Sequence, residues 1–478
     1  MATKYSVFLV TFISYALYHS SRKTLSTVKS SVRNSWFHQG GSAPADLAID
    51  DATGCVDLNK TASEVVDRLL FHCLDSADQF LGVLDALLMA AYALGVYGSG
   101  WLGDRWIPAH LISIGMLGSG ITLWLFGALP ELLHWYNVVW YIGWYILFGL
   151  FQSTGFPNEI AIVTSWRHRG FVLGVWASCQ SVGNVLGNVV SAVLVNVGYE
   201  WAVSAQAAFM IGGAVAFYWL IPAKRRRRPV AGEAETLVGN GARGSDDNYG
   251  ATREPPLMRQ ASVPPVSVWQ ALLLPGVIAY CLCNACVKFV NYGFLFWLPY
   301  YLTARFDWSE SVADALATFF EIGGIIGSVV TGLASDRLGH RSPVIVASLL
   351  LAVFALFGYI HSPDNMAINS LIMTAVGFLI SGPYNLIVAT VSADLGSLPT
   401  LSGQRHVMAT VTGLVDGTGA MTAAAGQLLL PAVGNAYGWD YNFYLFMAAV
   451  LLAVLCLARR FVSDMKELCR PRADDDDE

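Results

Sequence analysis

Charged residues are scarce. Asp, Glu, Lys and Arg make up 13% of the 478 residues, against about 25% in soluble domains. Set beside 55% hydrophobic residues, that deficit argues against a soluble protein and for an integral membrane protein. A basic excess that would draw nucleic acid is also missing: the formal net charge is −6, most of it from the terminal run 474–478, which reads as a solvated tail. The 8 cysteines contain no CxxC…CxxC pair. Cys281, Cys283 and Cys286 lie in an apolar run without neighbouring histidines, the pattern of buried thiols rather than a zinc site. Nucleophile elbow, metal-ligand spacing and phosphate-cradling glycine loop are all lacking, so neither an enzyme nor a cofactor is expected.

What is present is a series of long apolar runs. Windows of about 19 residues place twelve spans near 5–26, 79–102, 107–128, 135–158, 171–195, 200–221, 271–302, 311–334, 342–360, 368–391, 407–432 and 440–461. The first run has no small-residue cleavage site and is read as a retained span. Residues 27–78 form a long polar loop, and 222–270, rich in Gly, Pro and charge, form a disordered linker dividing residues 1–221 from 271–461, six spans from six; 462–478 is the acidic tail.

Lys and Arg gather after the even-numbered spans (Arg105, Arg167, Arg169, the run 224–228, Arg337, Arg341, Arg405, Arg459, Arg460) and are absent from the short connections 129–134, 196–199 and 361–367, with Arg305 after the seventh span a lone exception. That asymmetry predicts cytosolic termini and linker and puts loop 27–78 on the lumenal or exterior side. There Asn59-Lys60-Thr61 is a glycosylation sequon, and Cys55 and Cys73 can bridge if the loop is lumenal.

An internal repeat supports the division. "GVYGSGWLGDR" (95–105) ends the second span and "GSVVTGLASDR" (327–337) ends the eighth, both giving Gly-x-x-x-x-Gly-x-x-x-Asp-Arg. Asp104 with Arg105, and Asp336 with Arg337, are the candidate latches: each carboxylate can accept hydrogen bonds at a neighbouring helix N-terminus in one conformation and release them in another. The alternative is plain turn chemistry, which the duplication disfavours.

Charges inside the spans are the functional candidates. Arg22 lies about 25 Å along the first helix from Tyr5, and Lys288 about as far along the seventh from Ala271, at 1.5 Å per residue. In a six-plus-six repeat those spans are equivalent, so the two cations are expected to face each other near the bilayer midplane. A dianionic phosphate suits them, Arg giving a planar fork and Lys a point charge. The competing reading makes them structural partners of Asp85, Glu159, Glu321 or Asp416. Lys23 points about 100° away from Arg22 and is assigned to a neighbouring interface. His19, one turn before Arg22, is a hydrogen-bonding or proton-donating candidate, and Tyr18, Tyr292 and Tyr384 offer hydroxyls and rings.

The stretches "YALYHSSRKTLSTVKSS", "GVLDALLMAAYALGVYGSGWLGDR", "GFVLGVWASCQSVGNVLG", "VKFVNYGFLFWLPYYL", "EIGGIIGSVVTGLASDR", "GPYNLIVATVSADLG" and "ATVTGLVDGTGA" resemble the major facilitator superfamily, and within it the organophosphate:phosphate antiporters and sugar phosphate exchangers, solute carrier family 37. The resemblance spans all twelve helices. It implies an all-α membrane protein of two pseudo-symmetric six-helix bundles, with Arg22 and Lys288 clamping the phosphoryl group of a sugar phosphate that is exchanged for inorganic phosphate, in the endoplasmic reticulum membrane or an endosomal or lysosomal one. Departures are informative. Lys288 stands where bacterial relatives carry arginine, Gln180 where they carry a substrate-binding histidine, and Asn158-Glu159 follow Gly155-Phe156-Pro157 where small or apolar residues are usual. Glu159, Glu321 and Asp416 are the coupling candidates of an alternative proton- or cation-driven organic-anion carrier; a non-transporting membrane scaffold is a further alternative.

Overall fold

The computed structural model describes residues 4–37, 55–56, 69–103, 106–163, 169–221, 270, 272–395 and 407–469. Asn59, Asp104, Arg105, the linker 222–269 and the tail 470–478 lie outside the described residues.

The described chain is helical because apolar segments in lipid must satisfy every backbone polar group internally. The first span is α1 (Lys4–Phe37), the second α2 (Leu74–Gly103) and the third α3 (Pro108–Leu133). The fourth is broken into α4 (Val138–Gln152) and α5 (Gly155–Val163), and the fifth into α6 (Arg169–Ala177) and α7 (Cys179–Leu194); the sixth is α8 (Tyr199–Leu220). In the second half, α9 (Val277–Phe306), α10 (Glu310–Leu338) and α11 (Ser342–Ile360) are spans seven to nine. The tenth joins α12 (Met366–Asn385), a π-helical segment (Leu386–Val391) and α13 (Ser392–Leu395); α14 (Val407–Tyr437) and α15 (Tyr441–Leu468) complete the twelve. Local chemistry sets several starts: Pro108 and Pro343 stand in first turns, and the Asn137 and Asn365 side chains accept from backbone N–H groups of α4 and α12.

Among the described residues, eight helices are long and apolar enough to cross a membrane by length and composition alone. The first span is not among them: Ser, Thr, Tyr and His dilute its apolar run, and it carries Arg22, Lys23, Lys29 and Arg33 and extends eleven residues past the expected end at 26. What tolerates those charges is burial against protein rather than lipid.

Burial separates inner from outer helices. The apolar window of the seventh span is 83% buried, those of the sixth and twelfth only 33% and 22%. Outward rows such as Ile114, Leu117 and Ile121 on the third span, and Phe354 and Phe357 on the ninth, are exposed, the apolar coat expected against lipid. The third packs on the sixth and the ninth on the twelfth, while the halves meet where the second packs on the eleventh and the fifth on the eighth. These paired contacts repeat at an offset of six spans, the duplication seen in the sequence.

Glycine permits the tightest packing. A Cβ built on Gly377 of the tenth span would meet the Phe320 carbonyl oxygen at 1.9 Å, and one on Gly323 of the eighth would meet that of Thr374 at 2.0 Å. Gly377→Ala therefore forces two backbones apart, and we expect a loss of about 1–3 kcal/mol or more, read as a lower melting temperature of the purified protein.

A disulfide joins Cys55 to Cys73, and the Val56 N–H donates to His72 O at 2.8 Å.

Candidate functional site

Beyond Lys4 at its start, the first helix carries four cations, and three share a face. Arg22, Lys29 and Arg33 are separated by seven and four residues, close to whole turns of 3.6. Facing them on the second span, Asp78, Asp85 and Tyr92 recur every seven residues. The result is a ladder. Arg33 pairs with Asp78 at 3.6 Å and Lys29 with Asp85 at 2.5 Å, but Arg22 lies over the Tyr92 ring, 4.5 Å from its centroid. The third rung thus has an aromatic face where the other two have a carboxylate.

Arg22 is 1% exposed and, among the described residues, has no carboxylate within ion-pair distance. Its guanidinium donates to Tyr292 Oη at 2.9 Å across the two halves and to Gln152 Oε1 at 3.3 Å, and Gln152 Nε2 donates to Ser21 Oγ at 2.9 Å. These partners are neutral, so a buried charge is oriented without being neutralised. Such a charge is expensive unless something anionic completes it.

Lys288 is in a different condition. Its Nζ is 2.7 Å from Asp416 Oδ1 and 3.3 Å from the Asp416 carbonyl oxygen, and Tyr92 Oη donates to Asp416 Oδ2 at 3.2 Å. It also lies 5.1 Å from the Tyr292 ring and 5.5 Å from that of Tyr92. Two facing cations were expected, with pairing to a carboxylate such as Asp416 as the competing reading; the structure holds Arg22 unpaired and Lys288 paired, because the eleventh span brings Asp416 against the seventh. Tyr92 and Tyr292 lie between them, and Tyr384 packs edge-on to Tyr292 at 6.2 Å.

His19 Nδ1 is 3.3 Å from Asn184 Oδ1, whose amide donates to Glu321 Oε1 at 3.0 Å across the halves; His19 Nε2 is buried without a partner. Gln180 is buried one turn before Asn184. Tyr18 turns away from this centre: its hydroxyl donates to Ile112 O at 3.0 Å and lies 3.0 Å from Thr154 Oγ1, so it packs within the first half instead of presenting a hydroxyl to solute. Among the described residues Glu159 meets no cation: Oε1 accepts from Ser14 at 2.8 Å and Oε2 has no partner. At the described latch, Asp336 pairs with Arg341, which also reaches Asp394 at 3.1 Å and Ser335 at 2.8 Å, while Arg337 is exposed. Arg341 precedes the first residue of the ninth span, so the carboxylate meets a side chain beside a helix start rather than its backbone.

On the face away from the start of α1, the halves are joined by polar contacts that sequence reasoning placed in a loop. Arg33 donates to Tyr300 at 2.7 Å and Tyr300 donates to Asp78 at 2.6 Å. Glu310 accepts from the Ser30 and Ser31 N–H groups at 3.0 and 3.3 Å. The seven-residue spacing of Asp78, Asp85 and Tyr92 was the available signal for these residues.

A model of the Major Facilitator Superfamily matches residues 11–414. The chain belongs to the Major Facilitator Superfamily. This facilitator is 40% identical over 486 residues to Sugar phosphate exchanger 3 of Xenopus laevis, covering 98% of this chain and 94% of that protein. It is 33% identical over 478 residues to Glucose-6-phosphate exchanger SLC37A2 of Bos taurus, covering 95% and 93%. The crystal structure of a D-xylose-proton symporter shares the facilitator's fold with a TM-score of 0.64 at 14% identity, covering 94% of this chain and 96% of the other.

Proposed function

We propose that this facilitator exchanges phosphorylated sugars or related organic phosphates for inorganic phosphate by alternating access. The observation that carries this is Arg22: buried, oriented by neutral acceptors, and lacking, among the described residues, the carboxylate that its neighbours Lys29 and Arg33 possess. The names of the relatives agree with such a substrate.

In this reading the phosphoryl group takes the guanidinium fork of Arg22 and competes with Asp416 for Lys288. Asp416 then serves as a stand-in anion that keeps Lys288 neutralised while the site is empty. The return of an empty site strands one uncompensated cation, Arg22, in low dielectric, which raises the barrier to an unloaded return and favours exchange. His19, Gln180 and Tyr384 are the wall available to the sugar. Opening and closing would make and break the contacts of Asp336 and, by analogy of sequence, of Asp104 with Arg105.

The termini are assigned to the cytosol from the Lys and Arg distribution. The Cys55–Cys73 disulfide supports placing that loop in an oxidising compartment, as in the secretory pathway, with the endoplasmic reticulum membrane the location we favour. Asn59 on the same loop is then positioned for glycosylation.

The test is uptake of radiolabelled phosphate into proteoliposomes preloaded with phosphate or a sugar phosphate, beside empty ones. Exchange predicts uptake at least about tenfold faster into preloaded vesicles; equal rates reject it. A proton-driven carrier would use Asp416, Glu321 or Glu159 instead and would accumulate solute under an imposed pH gradient without internal phosphate.

A further inference from the structure

The chain places Lys23 directly after Arg22, and the structure gives the second cation a different target. A step of 100° turns it from the Tyr92 face. Its stem lies against Gly187 of the fifth span, where a Cβ would meet Lys23 Cβ at 3.0 Å, and its Nζ donates to the Leu295 carbonyl oxygen of the seventh span at 2.5 Å. The side chain is 1% exposed.

Leu295 has a carbonyl to spare for a chemical reason. In an α-helix that oxygen accepts from the N–H four residues later, which here is Pro299, inside the seventh span. Proline has no N–H, so the acceptor is orphaned within its own helix. A buried acceptor left unpaired is costly, and a charged donor is the strongest neutral-acceptor partner available. Lys23 belongs to the first half and Leu295 to the second. Arg33 with Tyr300, and Glu310 with Ser30 and Ser31, bridge the same two halves further toward the end of α1.

We infer that Lys23 and Pro299 form a lock that holds the halves closed on the side where the first span ends: proline frees the acceptor, and the lysine of the opposite half occupies it. Lys23 is thus a positioning residue for the transport cycle rather than a ligand of the phosphoryl group. The inference rests on the alternating-access reading above, but its test needs no substrate.

Ser26 lies on the same stripe as Arg22 and Lys29 and is 1% exposed, so Ser26→Cys reports opening of this side. Labelling by a membrane-impermeant maleimide, applied from the face of the 27–78 loop and compared with the parent lacking the reporter, is measured in Lys23→Met, Pro299→Ala and the double variant. Losing one hydrogen bond from a charged donor is expected to raise the labelling rate about tenfold in Lys23→Met. Pro299→Ala restores the N–H that competes for Leu295, and raises the rate as well. Because both act on one contact, the double variant labels no faster than Lys23→Met alone. Lys23→Arg, which keeps a donor, stays near the parent. Unchanged labelling in both single variants overturns the lock, and a simultaneous loss of phosphate binding would make Lys23 a substrate ligand; additive rates in the double variant overturn the link to Pro299. Failure of phosphate exchange with labelling as expected counts against the substrate assignment alone.

Discussion

Arg22→Met abolishes phosphate-dependent stabilisation of the purified protein and lowers phosphate affinity by about 10²–10³-fold. The magnitude follows from removing one partner of a buried, hydrogen-bonded charge pair, about 2–5 kcal/mol, at about 1.4 kcal/mol per factor of ten. The variant should also separate function from stability. In the empty protein Arg22 is held by Tyr292 and Gln152 without a countercharge, so a neutral side chain of similar length removes a desolvated ion along with two modest hydrogen bonds. The melting temperature without phosphate is expected not to fall. Arg22→Lys keeps the charge but loses the fork and the reach to both neutral partners, so it should recover only part of the affinity. Titrating phosphate against melting temperature in the three proteins checks all of this. Wild-type affinity in Arg22→Met would place the anion elsewhere.

Lys288 and Asp416 predict a coupled result. Lys288→Met leaves Asp416 as a buried carboxylate beside the tyrosines, with Tyr92 as its remaining hydroxyl donor, and is expected to destabilise by about 3–5 kcal/mol. It also sets an anion where a phosphate must come, so binding is lost. Asp416→Asn frees Lys288, raises the number of uncompensated buried cations at the centre from one to two, and should tighten phosphate while lowering the stability of the empty protein. Lys288→Met with Asp416→Asn removes both charges and should regain most of the stability but none of the transport. Denaturation of the four proteins gives the coupling energy, expected at about 2 kcal/mol or more, against near zero if the pair is incidental.

The fold was legible because lipid imposes one rule on every span: twelve long apolar runs and a repeated Gly…Asp-Arg ending suffice to place two bundles. The limit of the first span was misread for a related reason. Lys29 and Arg33 lower its hydropathy, and only tertiary neighbours, Asp85 and Asp78, turn them into interior residues. Depth along the helix singled out Arg22 and Lys288, but their different states were illegible, since Asp416 is 128 residues from Lys288 and their pairing depends on how the eleventh span rotates. Tyr18 shows the same limit in reverse: its position near Arg22 in sequence says nothing of a hydroxyl that packs on Ile112. Asp336 was expected to meet the backbone of a neighbouring helix N-terminus and instead meets the Arg341 side chain, which immediately precedes the ninth span.

The most direct measurement is a structure of the protein with inorganic phosphate bound. Phosphate oxygens are expected at about 2.7–2.9 Å from the Arg22 guanidinium, the usual length of a charge-assisted hydrogen bond, and from Lys288 Nζ, with Asp416 released from that lysine. Phosphate bound at another position, with Arg22 still on Tyr292 and Gln152 and Lys288 still on Asp416, would contradict this expectation.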